Sequence, residues 1–313
     1  MNEQKMRFDS EAYKCESFLE GLNKCKTNEE LVRYVDSIVD KFRSSENDPN
    51  TIGTGVFFTG QAYVNNGEYK DFIKPQMKIL NASLGYAYHI YDREYLYSFA
   101  YGIRRLNLPN DTNLLPYVML FLDSYFGFPK DNVDRRDDIL YDYALLHAEE
   151  FYKKHNIPID EKMGAVDQMQ LTGDFPLSAL KGTNSAQCME RSALAQNIMK
   201  MCGYNSSIMY GDCESRGFTE GHSWNAIYDK DGNVMIIDYS NTVFVYKDGQ
   251  FIRRNPFASE FTSEEFKSKE GILETRDYHF ENGRKILENK NRTYAVGKRL
   301  TKNSDKSQED KSI

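Results

Sequence analysis

Along the first half of the chain, apolar residues recur every three to four positions, the period of helices that bury one face. In TNEELVRYVDSIVDKF (27–42) they fall at 31, 34–35, 38–39 and 42. Thr27 with Glu30 three residues later has the form of a capping box, in which each side chain takes the other residue's backbone amide. Ala12, Cys15, Phe18, Leu19 and Leu22 make a similar stripe just before, which gives Cys15 a packing role. REYLYSFAYGIRRL (93–106), ending before Pro109, and VDRRDDILYDYALLHAEEFYKKH (133–155) predict two further helices. VFFTGQAYVNNGEYKDFI (56–73) interrupts this pattern, and its Asn66–Gly67 pair predicts a hairpin turn.

Beyond Pro158 the period changes. CMERSALAQNIMKMCGYN (188–205) predicts one more helix, closed by Gly203. SSIMYGD, HSWNAIYD, VMIIDYS, VFVYKD and QFIRR then follow as short strands, with DKDGN (229–233) and KDGQ (247–250) as turns. TSEEFKS (262–268) predicts a capped turn or short helix. The fold class expected is α+β: a mainly helical region over 1–157, a helix followed by an antiparallel sheet over 158–300, and a polar, unpacked tail over 301–313.

Composition narrows the function. A 313-residue chain that is 40% hydrophobic has ample apolar material for a core. A formal net charge of -7, with the basic pairs Arg104–Arg105, Arg253–Arg254 and Lys298–Arg299 scattered, argues against a nucleic-acid partner. The start, MNEQKMRFDSEAYKCESFLEGL, has no apolar leader, and the most apolar run, LLPYVMLFL (114–122), holds a proline and is too short to span a bilayer. Five cysteines, at 15, 25, 188, 202 and 213, suit free thiols in the cytoplasm better than a disulfide framework.

The candidate chemistry lies in two stretches. GTNSAQCMERSALAQ (182–196) is a polar loop entering a helix, with Asn184 expected as N-cap and Gln187 three residues later, so that Cys188 falls in the first turn. Helix amides and dipole there favour negative charge, which suits a thiolate. A cysteine nucleophile also needs a nearby imidazole to hold its proton and a third polar group to fix that ring's tautomer. GHSWNAIYDKDGNVMIIDYSN (221–241) supplies both. Counted from a turn centred on Asp231, His222 lies nine residues before and Asp238 seven after. That register permits an imidazole–carboxylate hydrogen bond, allowing a bulge.

The order Cys188, His222, Asp238, in the settings AQCMERSALAQNIMKMCGY, GHSWNAIYDKDGN and VMIIDYS, resembles the transglutaminase-like superfamily of papain-like thiol enzymes. The resemblance covers residues 182 to 241, with separations of 34 (188 to 222) and 16 (222 to 238) like those of compact microbial members. It implies a papain-like core in which a nucleophile helix packs on an antiparallel sheet. Carried over, Cys188 is the acyl-accepting nucleophile, His222 the general base and later acid, and Asp238 the residue that orients the ring. Gln187 matches the glutamine often found before the nucleophile, Gly211 the glycine that ends the intervening strand, and Trp224 the aromatic that packs under the sheet. The backbone amide of Cys188 is the candidate oxyanion donor. Tyr239 stands where many members have proline, and Met189 where animal enzymes have tryptophan. No acidic loop suggests calcium sites, which argues against calcium-activated cross-linking. The implied activity is thiol-mediated acyl transfer or hydrolysis on an amide of a protein or peptide substrate, with no cofactor and no metal. Two alternatives share the pattern: a non-catalytic interaction module on the same core, binding partners through the helical N-terminal region, and acetyl transfer from coenzyme A of arylamine N-acetyltransferase type, which "CMER" resembles faintly.

Other chemistry-bearing residues have simpler explanations. Cys202 is expected in the core and Cys213 in a polar loop between acidic neighbours. Cys202, Cys213 and His222 lack zinc-ligand spacing. GTGVFFTG (53–60) does not fit a dinucleotide fingerprint, and packing or solvent exposure accounts for His89, His147, His155 and His279.

Overall fold

A computed structural model describes residues 15–42, 56–58, 87–89, 93–127, 139, 142–143, 146–147, 175–215, 217–229, 231–247, 250–268, 272–281 and 284–296. Helices α1 (Glu16–Lys24) and α2 (Asn28–Phe42) form where the apolar stripes fall. Thr27 Oγ1 accepts from the Glu30 amide at 3.1 Å, and Glu30 Oε2 accepts from the Thr27 amide at 3.2 Å, closing the expected capping box. Helix α3 (Glu94–Leu106) buries Tyr95, Leu96, Phe99, Ala100 and Ile103. Arg93, just before it, reaches Asp36 at 2.7 Å and Asp40 at 2.9 Å on α2.

The apolar run 114–122 turns out to be most of α4 (Leu115–Phe126). Pro116 sits in its first turn, where a missing amide costs no helical hydrogen bond. Of the helix expected over 133–155, residues Ile139, Asp142, Tyr143, Leu146 and His147 are described, and all are helical. Strand β1 (Val56–Phe58) pairs antiparallel with β2 (Ala87–His89), which pairs parallel with β3 (Phe175–Pro176). The expected turn at Asn66–Gly67 lies outside the described residues, as does the 301–313 tail.

Helix α5 (Cys188–Met201) starts at the expected residue and ends before Gly203, which takes a left-handed φ of +90°. From Glu190 onward every residue of it is buried. The second sheet runs β7-β6-β5-β4-β9-β8, antiparallel throughout: β4 (Ser206–Ser215), β5 (Phe218–Tyr228), β6 (Val234–Lys247), β7 (Gln250–Phe261), β8 (Ile272–Glu281) and β9 (Arg284–Val296). It curls so that β8 meets β6 and β7. VMIIDYS and VFVYKD are one strand, β6, whose register against β7 breaks between Asp238 and Thr242. Gly211 lies within β4 and does not end it.

Period-two alternation gives the sheet two apolar faces. The inner one gathers Met209, Trp224, Ala226, Ile236, Phe257, Leu273 and Tyr294 under Phe266 of α6 (Ser263–Ser268). The outer one, with Ile208, Ile227, Met235, Ile237 and Tyr239, belongs to the same core as α5 and the buried stripes of α1 to α4. One continuous core therefore joins the helices of the first half to the sheet.

Candidate active site

The tip of α5 is held by the end of α4. Carbonyls at a helix C-terminus lack intrahelical partners. Here the Gly182 amide donates to Tyr125 O and the Asn184 amide to Phe126 O, each at 2.8 Å, so the loop before Cys188 caps α4. Buried Arg191 adds an ion pair to Asp123 at 3.0 Å and a hydrogen bond to Gly127 O. Gly127 has φ +87°, and a Cβ on it would lie 2.2 Å from Asn184 Oδ1. Only glycine fits so close an approach with that backbone.

These bonds also move the helix cap. Asn184, expected as N-cap, is itself left-handed at φ +58°, with its amide spent on α4. Gln187 is the N-cap instead, and Glu190 Oε2 accepts the Gln187 amide at 2.8 Å. Cys188 becomes the first residue of the helix.

Cys188, Ser192 and Gln196, four residues apart, share one stripe of α5. Ser192 Oγ meets Ser223 Oγ at 2.5 Å, Asn225 Nδ2 donates to Ser192 O at 3.0 Å, and Gln196 Nε2 donates to Ser206 O at 2.8 Å. This buried polar seam fixes the helix along β5, so that Cys188, one turn before Ser192, arrives at the level of His222.

The β5–β6 ladder pairs Asn225 with Ile237 through Tyr228 with Val234, a register centred on Asp231. Continued one step, it sets Asp238 opposite Trp224. His222 is then a diagonal neighbour of Asp238 on the same face, within reach of an imidazole. His222 Nε2 and Asp238 Oδ2 are 2.7 Å apart, and Cys188 lies near enough to the same ring to help raise its pKa. With Nε2 given to the carboxylate, Nδ1 is the nitrogen left for the thiol. The three predicted residues are thus brought together, with Asp238 at the break in register and not at a strand end.

Asp238 is fully buried and takes five donors. Oδ2 accepts from His222 Nε2, from Asn241 Nδ2 at 2.8 Å and from Tyr294 OH at 2.8 Å. Oδ1 accepts from the amides of Ser240 and Asn241, both at 2.9 Å. Burial by itself would raise this carboxyl's pKa. The His222 charge and the hydrogen bonds from His222 and Asn241 outweigh it and hold the group well below the usual carboxylate range. For His222, burial opposes the charged ring, but the facing Asp238 charge, Cys188 and their hydrogen bonds raise its pKa well above the ordinary 6.5. Both effects favour an imidazolium–carboxylate pair.

Trp224, fully buried, stacks on the His222 ring with centroids 6.0 Å apart and planes at 20°, and Tyr294 meets Trp224 edge-on at 4.8 Å. Gln187 is exposed and Cys188 is partly exposed. Cys25 is also partly exposed, its pKa raised by burial and by Glu30, and the remaining three thiols are buried. Cys213 does not lie in a polar loop: it is buried within β4, and burial, more than the charges of Asp238 and Glu220, pushes its pKa up to about 12. Burial also pushes Cys15 up to about 11 and Cys202 well above the usual thiol range. Among the described residues no cluster of His, Cys, Asp and Glu could hold a metal ion, and no helix is long and apolar enough to cross a membrane.

Two residues of the site had not been expected. Asn241 stands three positions beyond Asp238, where side chains commonly close a turn. Tyr294 comes from β9, outside the stretch of resemblance. No protein-family model gives a significant match to the chain, and neither does any curated protein or solved structure.

Proposed function

We propose that the protein is a transglutaminase-like thiol enzyme acting on an amide bond. The observation that carries this is a partly exposed Cys188 beside a buried imidazole, which a buried carboxylate holds through Nε2. The placement of a nucleophile at a helix tip, with its partners on adjacent strands of an antiparallel sheet, supports a papain-like core. The Cys188 sulfur attacks the carbonyl carbon, and the proton held by His222 passes to the leaving amine as the C–N bond breaks. A thioester remains, and water or an amine, losing its proton to His222, releases the acyl group and restores the thiol. The Cys188 amide, first in α5 and without an intrahelical partner, stands where the oxyanion develops. Asp238 orients the ring, with Tyr294 and Asn241 holding Asp238 in turn.

The partial exposure of Cys188 favours catalysis over a non-catalytic module, for which a buried residue would serve equally well. Iodoacetamide labelling near neutral pH, mapped by mass spectrometry, provides the test. Cys188 is expected to react ahead of Cys213, Cys202 and Cys15, and His222→Ala to slow it by about tenfold or more. If Cys188 reacts no faster than Cys213 and the substitution changes nothing, thiol activation is disproved.

A further inference from the structure

Strand β5 leads into the site from the protein surface. On the face that carries the imidazole, Phe218 is 80% exposed, the Glu220 side chain 69%, His222 3% and Trp224 0%. The strand enters from a turn at Gly217, whose φ is +80°. Glu220 Oε1 lies 3.9 Å from His222 Nδ1, the nitrogen not engaged by Asp238. Phe218 is the most exposed large apolar side chain among the described residues of the sheet.

In acyl transfer to a thiol, the proton on Nδ1 goes to the departing amine. The amine half of the substrate therefore stands beside Nδ1, next to the Glu220 carboxylate. Same-face residues along a strand are about 7 Å apart, which puts Phe218 about 13 Å out from His222. An extended peptide advances about 3.3 Å per residue.

We propose that Phe218 and Glu220 form a binding ledge for the amine side of a peptide substrate. The peptide carries a basic residue one or two positions beyond the scissile amide, facing Glu220. An apolar residue about three or four positions beyond it rests on Phe218. This rests on the thiol-enzyme function proposed above and adds a substrate class to it: peptides basic and then apolar after the bond, with acidic ones disfavoured by the like charge.

Charged thiol reagents read the ledge directly on the full chain. Cys188 is modified with trimethylammonioethyl, sulfonatoethyl or benzyl methanethiosulfonate, and each rate is divided by that of a small free thiol. The cationic reagent is expected to exceed the anionic one by about three- to tenfold at low salt, with the ratio shrinking as salt is added. Glu220→Gln is expected to bring the ratio close to unity, and Phe218→Ala to slow the benzyl reagent about threefold. Both side chains are exposed, so neither substitution threatens folding. A charge ratio indifferent to Glu220→Gln would overturn the ledge. Failure of the enzyme proposal looks different: Cys188 then reacts ordinarily with neutral iodoacetamide, whether or not His222 is present.

Discussion

Replacing Asp238 by asparagine tests how the site is held. The carboxylate accepts five hydrogen bonds in full burial. At about 1.5–3 kcal/mol for each bond to a charged group, simple addition gives roughly 8–15 kcal/mol. That equals the whole stability of a typical domain, about 5–15 kcal/mol, so the bonds cannot be independent. Asparagine keeps one oxygen, enough for the Ser240 and Asn241 amides. Its NH2 then faces the His222 N–H, the Asn241 amide hydrogens and the Tyr294 hydroxyl, donor against donor. The loss should match that of breaking a buried pair, about 3–5 kcal/mol. Tyr294→Phe removes one donor and should cost about 1 kcal/mol. Trp224, the sole tryptophan and stacked on His222, reports the transition by fluorescence in urea. With a slope of about 2–3 kcal/mol per molar, Asp238→Asn should lower the midpoint by about 1–2 M and Tyr294→Phe by less than about 0.5 M. Without the carboxylate, burial dominates at His222 and discharges the ring, so Cys188 labelling should slow as well. A midpoint for Asp238→Asn within about 0.3 M of wild type would refute the claim that this carboxylate holds the site together.

Two further predictions concern charge and loop position. His222 has its pKa raised in the fold, so its contribution is complete below 6.5 and fades as pH climbs through the raised value. Asp238 has its pKa lowered, so its contribution is present above 3.8 and fades as pH falls through the lowered value. The stability difference between wild type and His222→Gln, followed in urea from about pH 4 to pH 9, should be largest between those two ordinary values and should shrink at the alkaline end; growth toward alkaline pH would contradict the pairing. Gly127→Ala puts a methyl against Asn184 at a positive φ, and should cost about 1–3 kcal/mol while slowing Cys188 labelling. If melting and labelling are both untouched, the end of α4 does not position Cys188.

Much of the site was legible because short-range rules govern it. The Asp231 turn sets the β5–β6 register, and that register alone puts His222 and Asp238 on one face. The helix that carries Cys188 was equally readable, but its cap was not. Asn184–Gln187 and Gln187–Glu190 are both plausible polar pairs, and the choice fell to the second because Phe126, distant in sequence, takes the Asn184 amide. Strands β8 and β9 escaped notice because their apolar residues are diluted by charge. The Asn282–Gly283 pair was the available signal, and the ladder does pair Glu281 with Arg284 across it. Tyr294 could not be found without β9. Arg191, Gln196 and Asn197 look like surface residues of a helix, yet all are buried. Nothing local distinguishes a polar side chain that faces water from one that meets Asp123 or Ser206 across the core.

The shared core of helices and sheet constrains how this protein can be controlled. A segment removed by proteolysis during activation, or one that swings aside to admit substrate, must separate from its neighbours without tearing apolar packing. Helices α1 to α4 cannot do so, since α5 lies among them and α4 anchors the loop ahead of the sulfur. Cutting the chain after α4 and expressing only the remainder should therefore give insoluble material and not a constitutively open form.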